Sequence, residues 1–131
     1  MRHTYRSDLS RVRALVLRHA QEAGLPAARA SDLMIAVSEV AANTLRHTTS
    51  PGTLAIWHDD AEVVCEMHDK GVIADPLAGL RPPAPDADGG HGLWLVRQVC
   101  DDVELSSGAD GTTVRMHMAL NEPPRAPGTV G

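Results

Sequence analysis

The sequence predicts a single α+β domain built from three amphipathic helices and two β-hairpins. Its 131 residues are the size of one ordinary domain, and 43% of them are hydrophobic, which is enough for one core. Apolar residues recur at helical spacing, and two pairs of short strand-like segments are joined by turn residues. We therefore expect one domain over residues 1–120 and a disordered tail, rich in Pro and Gly, over residues 121–131.

The first two helices are predicted from their apolar stripes and their end signals. The first follows Ser7, a possible N-cap, and precedes Gly24, the residue that a helix C-terminus favours. Pro26 suits the entry into the second helix, which ends near the Thr-Thr-Ser-Pro-Gly break at residues 48–52. The predicted buried stripe of this second helix consists of Leu33, Ala36, Val37, Val40, Ala41 and Thr44.

The strands are predicted as two hairpins, over residues 53–58 with 62–68 and over residues 103–106 with 112–119. Asp59-Asp60 joins the first pair, and a turn containing Gly108 and Gly111, both able to adopt positive φ, joins the second.

The segment between the hairpins has a different composition. Residues 71–90 carry four prolines and several glycines, so they cannot continue a helix or a central strand. Loops of this length inside a compact domain are commonly functional lids or disordered segments. A third helix follows, starting near Leu93 and ending around Asp101-Asp102.

Composition argues against several classes of function. Twelve Lys and Arg against seventeen Asp and Glu give a net charge of -5 without a basic stripe, which disfavours nucleic acid as a partner. No apolar run approaches the roughly 20 residues of a membrane span and no signal peptide is recognisable, so we expect a cytoplasmic protein without membrane contact. Cys65 and Cys100 are predicted to be reduced and buried, and the seven histidines form no recognisable metal motif.

Three short segments carry the functional signal. Glu39 and Asn43 share one face of the second helix, where an amide oxygen can bind Mg²⁺ and a carboxylate can accept a proton. Asp69 ends a strand before Gly71, which suits a carboxylate that accepts a hydrogen bond from a purine amine. Residues 89–92 precede a helix, whose free amides and dipole favour a phosphate.

Each segment alone also has an ordinary structural explanation: a solvated helix face, a turn aspartate and a flexible hinge. Their order along the chain suggests one ATP site. The glycine segment lacks the Walker A lysine and does not follow a strand in a βαβ unit, so it fits neither a P-loop nor a Rossmann fold.

These motifs resemble those of the GHKL (Bergerat-fold) ATPase superfamily, and within it the bacterial anti-sigma factors that act as serine-protein kinases. The resemblance covers nearly the whole chain. Its parts are an N box at residues 36–47, glycine boxes at residues 69–71 and 90–96, and the segment 111–114. It implies a two-layer α/β sandwich, with helices on one face of a mixed, largely antiparallel sheet.

The resemblance also implies a role for individual residues. Asn43 would coordinate Mg²⁺, Glu39 would be the general base, and Asp69 would bind the adenine amine, supported by Gly71 and Thr112. Other cofactor-binding roles fall on His47, Gly90, His91, Gly92 and Leu93, with residues 72–89 as the ATP lid. Backbone amides of Gly90, Gly92 and Leu93 would hold the phosphates.

The function implied by the resemblance is that of an ATP- and Mg²⁺-dependent serine/threonine kinase. It would be a homodimer that binds a sigma factor and phosphorylates a STAS-type anti-anti-sigma antagonist. One alternative is a nucleotide-binding or nucleotide-free module that binds a sigma factor or antagonist without kinase activity. It is suggested by Val72-Ile73 and His91, which stand where the family often has a further glycine and an arginine. Another is the ATP-binding half of a sensor kinase, with its phosphoacceptor histidine on a separate chain.

Overall fold

The computed structural model of the protein describes residues 1–71 and 91–121, apart from the side chains of Arg46, His47 and His91. The element order in these ranges is β1 (Arg2–Tyr5), α1 (Leu9–Glu22), α2 (Ala27–His47), β2 (Gly52–His58), β3 (Glu62–Asp69), α3 (His91–Val99), β4 (Asp102–Gly108) and β5 (Gly111–Ala119). The predicted lid at residues 72–89, Gly90 and nearly all of the predicted tail lie outside the described residues.

The described strands form one five-stranded sheet in the order β1-β2-β3-β5-β4. All four pairings between these strands are antiparallel. The described helices lie in one layer, because α2 contacts both α1 and α3 as well as β3 and β5. The predicted class, an α+β sandwich with helices on one face of a largely antiparallel sheet, is confirmed.

The core lies between the helices and the sheet. Every residue of the predicted α2 stripe is buried. The sheet contributes alternate side chains, as expected where one face is covered, and these are Leu54, Ile56, Val63, Cys65, Met67, Val114, Met116 and Met118. Because the chain contains no Phe, aliphatic and Met side chains fill this space. None of the described helices has the length and apolar character that crossing a bilayer requires.

The helix ends follow the predicted signals with one correction. Gly24 has φ +100°, and its N–H donates to the carbonyl of Gln21 while Leu25 N–H donates to that of Ala20, both at 3.0 Å. These two bonds form a Schellman motif, which is favoured by a glycine directly after the last helical residues. At the other end of α1 the N-cap is Asp8 rather than the predicted Ser7. The Asp8 carboxylate accepts from the backbone N–H of Arg6, which turns the chain into the helix.

Strand β1 is the element that the sequence did not predict. Its four residues alternate without a clear apolar period, and Tyr5 is the only one that is buried. They form a strand because β2 offers a partner, in a register that places Tyr5 opposite Gly52. A Cβ atom on Gly52 would lie 2.3 Å from the Tyr5 ring, so the glycine makes the room that the ring occupies.

The two cysteines are buried and unbonded to each other, as predicted. Burial raises the pKa of both thiols, that of Cys100 to about 12. They are therefore protonated at neutral pH and behave as small apolar groups of the core.

Candidate functional site

Asp69 lies at the end of β3, where its carboxylate is held from two sides. The Thr44 hydroxyl donates to Oδ2 at 2.7 Å, and the backbone N–H of Gly71 donates to Oδ1 at 2.7 Å. Both oxygens act as acceptors, and each keeps a lone pair for a further donor. The carboxylate can therefore receive the exocyclic amine of an adenine without losing its own support.

Thr44 connects this carboxylate to the N-terminal strand. It is 1% exposed and lies on α2, and its hydroxyl oxygen is 2.9 Å from that of Tyr5. A hydroxyl has one proton, and the Thr44 proton is used in the bond to Asp69, so Tyr5 must be the donor to Thr44. We call this chain of three side chains, from Tyr5 through Thr44 to Asp69, the hydroxyl relay.

The Tyr5 end of the relay stays neutral. Burial raises the pKa of Tyr5 to about 12; the hydrogen bond to Thr44 lowers it, and the nearby charge of Asp69 raises it further. A phenol with this pKa keeps its proton at any physiological pH and remains a donor.

Thr112 holds the turn that follows Asp69. It pairs with Asp69 across β3 and β5, is 4% exposed, and donates its hydroxyl proton to the carbonyl oxygen of Gly71 at 2.8 Å. Because that proton is committed, the Ser107 hydroxyl 2.8 Å away donates to Thr112. The structure thus brings together Asp69, Gly71 and Thr112, three of the residues predicted for the adenine end of the site.

Gly111 allows this close approach of β5 to β3. It has φ +108°, and a Cβ atom there would lie 2.0 Å from the backbone oxygen of Asp69. Only glycine fits both the conformation and the space. The glycine of the fourth predicted motif therefore has a structural reason beside the candidate site.

Glu39 and Asn43 lie one turn apart on α2, and both are half-buried. Asn43 directly precedes Thr44, whose hydroxyl reaches Asp69 on β3. The predicted metal-binding amide and the predicted adenine-binding carboxylate therefore both lie near the C-terminal end of α2. Magnesium takes oxygen ligands, usually one or two from protein together with phosphates and water. The Asn43 amide oxygen suits such a site, and a bound Mg²⁺–ATP would complete it.

The predicted phosphate-binding segment is described only in part. Helix α3 begins at His91, two residues before the predicted position, and Leu93 in its first turn is 6% exposed. Gly92 lies in the first turn of α3, while Gly90 and the side chains of His91 and His47 lie outside what the structure describes. Helix α3 therefore begins within the segment where the sequence predicted a phosphate site.

Sequence reasoning missed Tyr5, Ser107 and the polar role of Thr44. A signal for Thr44 was present, because it is the one hydroxyl in an otherwise apolar stripe. Tyr5 gave no such signal, since the strand that carries it was not predicted.

A five-stranded antiparallel sheet with helices packed against it is an α+β fold consistent with a GHKL-type ATPase domain. Comparison with known proteins agrees, since the family model of the histidine kinase-like ATPase domain matches residues 3–118. The chain belongs to this family, and its general function is ATP binding. No curated protein matched the chain. The predicted GHKL superfamily is thereby confirmed, while the anti-sigma subtype stays a prediction.

Proposed function

We propose that the protein is an ATP- and Mg²⁺-dependent serine/threonine protein kinase of the anti-sigma type. The observation that carries this proposal is the junction at residues 43–44. Asn43, suited to a metal–phosphate complex, is followed directly by Thr44, whose hydroxyl holds the carboxylate suited to adenine. One helix end thus links the two parts of a nucleotide site.

In this proposal each side chain has a separate task. Asp69 accepts the adenine amine, while Thr112 and Gly71 keep the adjacent turn in place. Asn43 supplies an oxygen to Mg²⁺, and the first amides of α3 receive phosphate oxygens. When bound, ATP would supply the γ-phosphoryl group and Mg²⁺ would neutralise charge on it. Glu39 would accept the proton of a serine or threonine hydroxyl on the substrate protein, whose oxygen bonds to the γ-phosphorus while the bond to the β–γ bridging oxygen breaks and ADP leaves.

The resemblance to anti-sigma kinases supports the remaining parts of the proposal. The protein would act in the cytoplasm as a homodimer, bind a sigma factor, and phosphorylate a STAS-type antagonist on serine or threonine. Phosphorylation of the antagonist would then decide which partner the kinase holds.

The test is transfer of labelled γ-phosphate to a panel of purified STAS-domain proteins in the presence of Mg²⁺. Glu39→Gln should lower the transfer rate by about 10²- to 10⁴-fold, the range for a lost general base, while ATP still binds. Asn43→Ala should weaken the Mg²⁺-dependent binding of ATP itself. Glu22→Gln is the matched control, because Glu22 lies on α1 in an exposed pair with Arg18.

Unchanged transfer in Glu39→Gln would remove Glu39 as the base. Magnesium-dependent ATP binding without transfer to any STAS protein would instead favour the binding module. That second candidate is supported by Val72-Ile73, which follow Gly71 where the family often has another glycine. A third outcome, transfer to a histidine on a separate chain, would identify half of a sensor kinase.

A further inference from the structure

We propose that Tyr5 and Thr44 are positioning residues that set the base specificity of the site, by fixing the Asp69 carboxylate as an acceptor for a 6-aminopurine. The proposal rests on the proposed role of Asp69 in adenine binding. It adds that the N-terminal strand, far from the motifs of the site in sequence, determines how well that carboxylate discriminates between bases.

The hydrogen bonds of the relay all run in one direction, from Tyr5 towards Asp69. The Asp69 carboxylate can only accept, so Thr44 donates to it at 2.7 Å and Tyr5 donates to Thr44 at 2.9 Å. Gly71 N–H donates to the other carboxylate oxygen. Two donors on two different oxygens fix the plane of the carboxylate as well as its position.

Without Tyr5, two acceptors compete for the Thr44 hydroxyl proton. The Thr44 hydroxyl also lies 3.3 Å from the carbonyl oxygen of Val40, one turn earlier in α2. This carbonyl competes with Asp69 for the single Thr44 proton. A donor from Tyr5 occupies a lone pair of the Thr44 oxygen and thereby favours the orientation that points the proton to Asp69.

The Tyr5 ring is held in a fixed position. The ring is 0% exposed, and β1 pairs with β2 so that Tyr5 lies opposite Gly52. A Cβ on Gly52 would lie 2.3 Å from the ring, so the backbone of β2 forms one wall of its pocket. The phenol oxygen is therefore placed by strand pairing and packing, and it cannot follow Thr44 if the helix shifts.

The consequence is discrimination between purines. A 6-amino group donates to the fixed carboxylate, whereas a 6-oxo group presents a second acceptor and is repelled. A carboxylate that has lost the Thr44 donor can rotate away from a 6-oxo group. The affinities for 6-amino and 6-oxo purine nucleotides then become more alike. Loss of one such hydrogen bond corresponds to roughly a tenfold change in relative affinity.

The experiment measures equilibrium binding of ATP and of inosine triphosphate, each with Mg²⁺, by calorimetry on the full chain. We expect the unsubstituted protein to bind ATP more tightly. Tyr5→Phe and Thr44→Val should each lower the ratio of ATP affinity to inosine triphosphate affinity by about tenfold. Thr44→Ser keeps a hydroxyl and should leave this ratio as it is in the unsubstituted protein. Thr113→Val is the matched control, because its hydroxyl lies 2.9 Å from His68 Nδ1, outside the relay.

The outcomes separate the two proposals. If the unsubstituted protein binds no ATP, or binds both nucleotides equally, the role of Asp69 fails and the relay fails with it. If it discriminates, but Tyr5→Phe leaves the ratio unchanged or lowers both affinities in parallel, only the relay is overturned. Tyr5→Phe retains the ring, so it and Thr44→Ser carry the test even if Thr44→Val does not fold.

Discussion

The backbone of Gly111 lies so close to Asp69 that a Cβ atom on the glycine would be 2.0 Å from the Asp69 carbonyl oxygen. Strand β5 therefore contacts the end of β3 just before the turn that leads to Gly71. Any side chain at this position must push the two strands apart, and the carboxylate of Asp69 would move with its backbone.

Gly111→Ala should consequently lower both stability and nucleotide affinity. Its φ of +108° is strained for any residue with a Cβ, which costs about 1–3 kcal/mol before the backbone clash is added. Gly108→Ala is the control from the same hairpin, because a Cβ there meets nothing within 4 Å. Urea denaturation and ATP titration of both variants provide the measurement. Equal stability of Gly111→Ala and the unsubstituted protein would contradict this account.

A second glycine links strand packing to the site through Tyr5. A Cβ at Gly52 would lie 2.3 Å from the Tyr5 ring, so Gly52→Ala should displace the ring and cost about 1–3 kcal/mol through overpacking. We expect ATP affinity to fall as well, because Tyr5 is hydrogen-bonded to Thr44.

Gly24→Ala provides the comparison for this prediction. Gly24 has φ +100° but open space around it, so its substitution should destabilise the fold through backbone strain alone. ATP affinity of the folded Gly24→Ala protein should remain unchanged. If both variants, measured well below their unfolding temperatures, lost ATP affinity equally, the effect of Gly52 would be one of general stability.

The outer face of the sheet contains a titratable bridge centred on His117. Its Nδ1 lies 2.9 Å from Glu62 on β3, and its Nε2 lies 2.8 Å from Glu104 on β4. Burial lowers the pKa of His117, but the hydrogen bonds to Glu104 and Glu62 outweigh it, and the pKa is raised above its ordinary value. The protonated ring, with an N–H towards each carboxylate, joins three neighbouring strands.

A raised pKa in the folded state means that the bridge stabilises the protein when His117 is protonated. This contribution is fully present below the unfolded-state pKa of about 6.5 and is lost as the pH rises through the higher folded-state value. His117→Gln should therefore reduce stability at pH 6 more than at pH 8.5, as measured by urea denaturation. His68→Gln is the control, because His68 Nδ1 faces the neutral hydroxyl of Thr113. An equal loss at both pH values would contradict the bridge.

Much of this fold follows from patterns that can be read locally. All six residues that the helical period of α2 assigned to its buried face are buried, although the stripe also includes Ala30, which was not predicted. A helix packed on a sheet buries one stripe whatever its partner is. Gly111 and Gly24 were predicted as turn or end residues, and both have positive φ. Such features depend on a few neighbouring residues, and sequence reasoning can therefore reach them.

The relay shows where this reasoning stops. Helical periodicity predicted that Thr44 lies in the core, but it could not identify the hydrogen-bond partners of Thr44. These partners, Tyr5 and Asp69, are 39 and 25 residues away in the sequence. Strand β1 has no apolar alternation of its own and forms because β2 has a free edge beside Gly52. Hydrogen bonds between distant elements depend on the packed structure, so the sequence alone indicated Asp69 but not what orients it.

Within the part of the chain that the structure describes, Asp59 and Asp69 lie in similar turns, which allows the ordinary interpretation of Asp69 as a turn aspartate to be tested directly. Asp59 Oδ1 accepts the backbone N–H two residues later at 2.7 Å, and so does Asp69 Oδ1. They differ in that Asp69 also accepts from the buried Thr44 hydroxyl, whereas Asp59 is exposed between β2 and β3. If Asp69 were only a turn aspartate, the two residues should respond alike to the same substitution.

We expect them to respond differently. Asp69→Asn replaces one acceptor by a donor and should weaken ATP binding by about 10- to 100-fold, the range for a lost hydrogen bond to a charged group. Asp59→Asn should leave ATP binding unchanged, with at most a small loss of stability from its turn. Calorimetric titration of both variants with Mg²⁺–ATP, after circular dichroism has verified their folding, measures the difference. Unchanged ATP affinity in a folded Asp69→Asn protein would show that Asp69 is only a turn residue and that other residues recognise adenine.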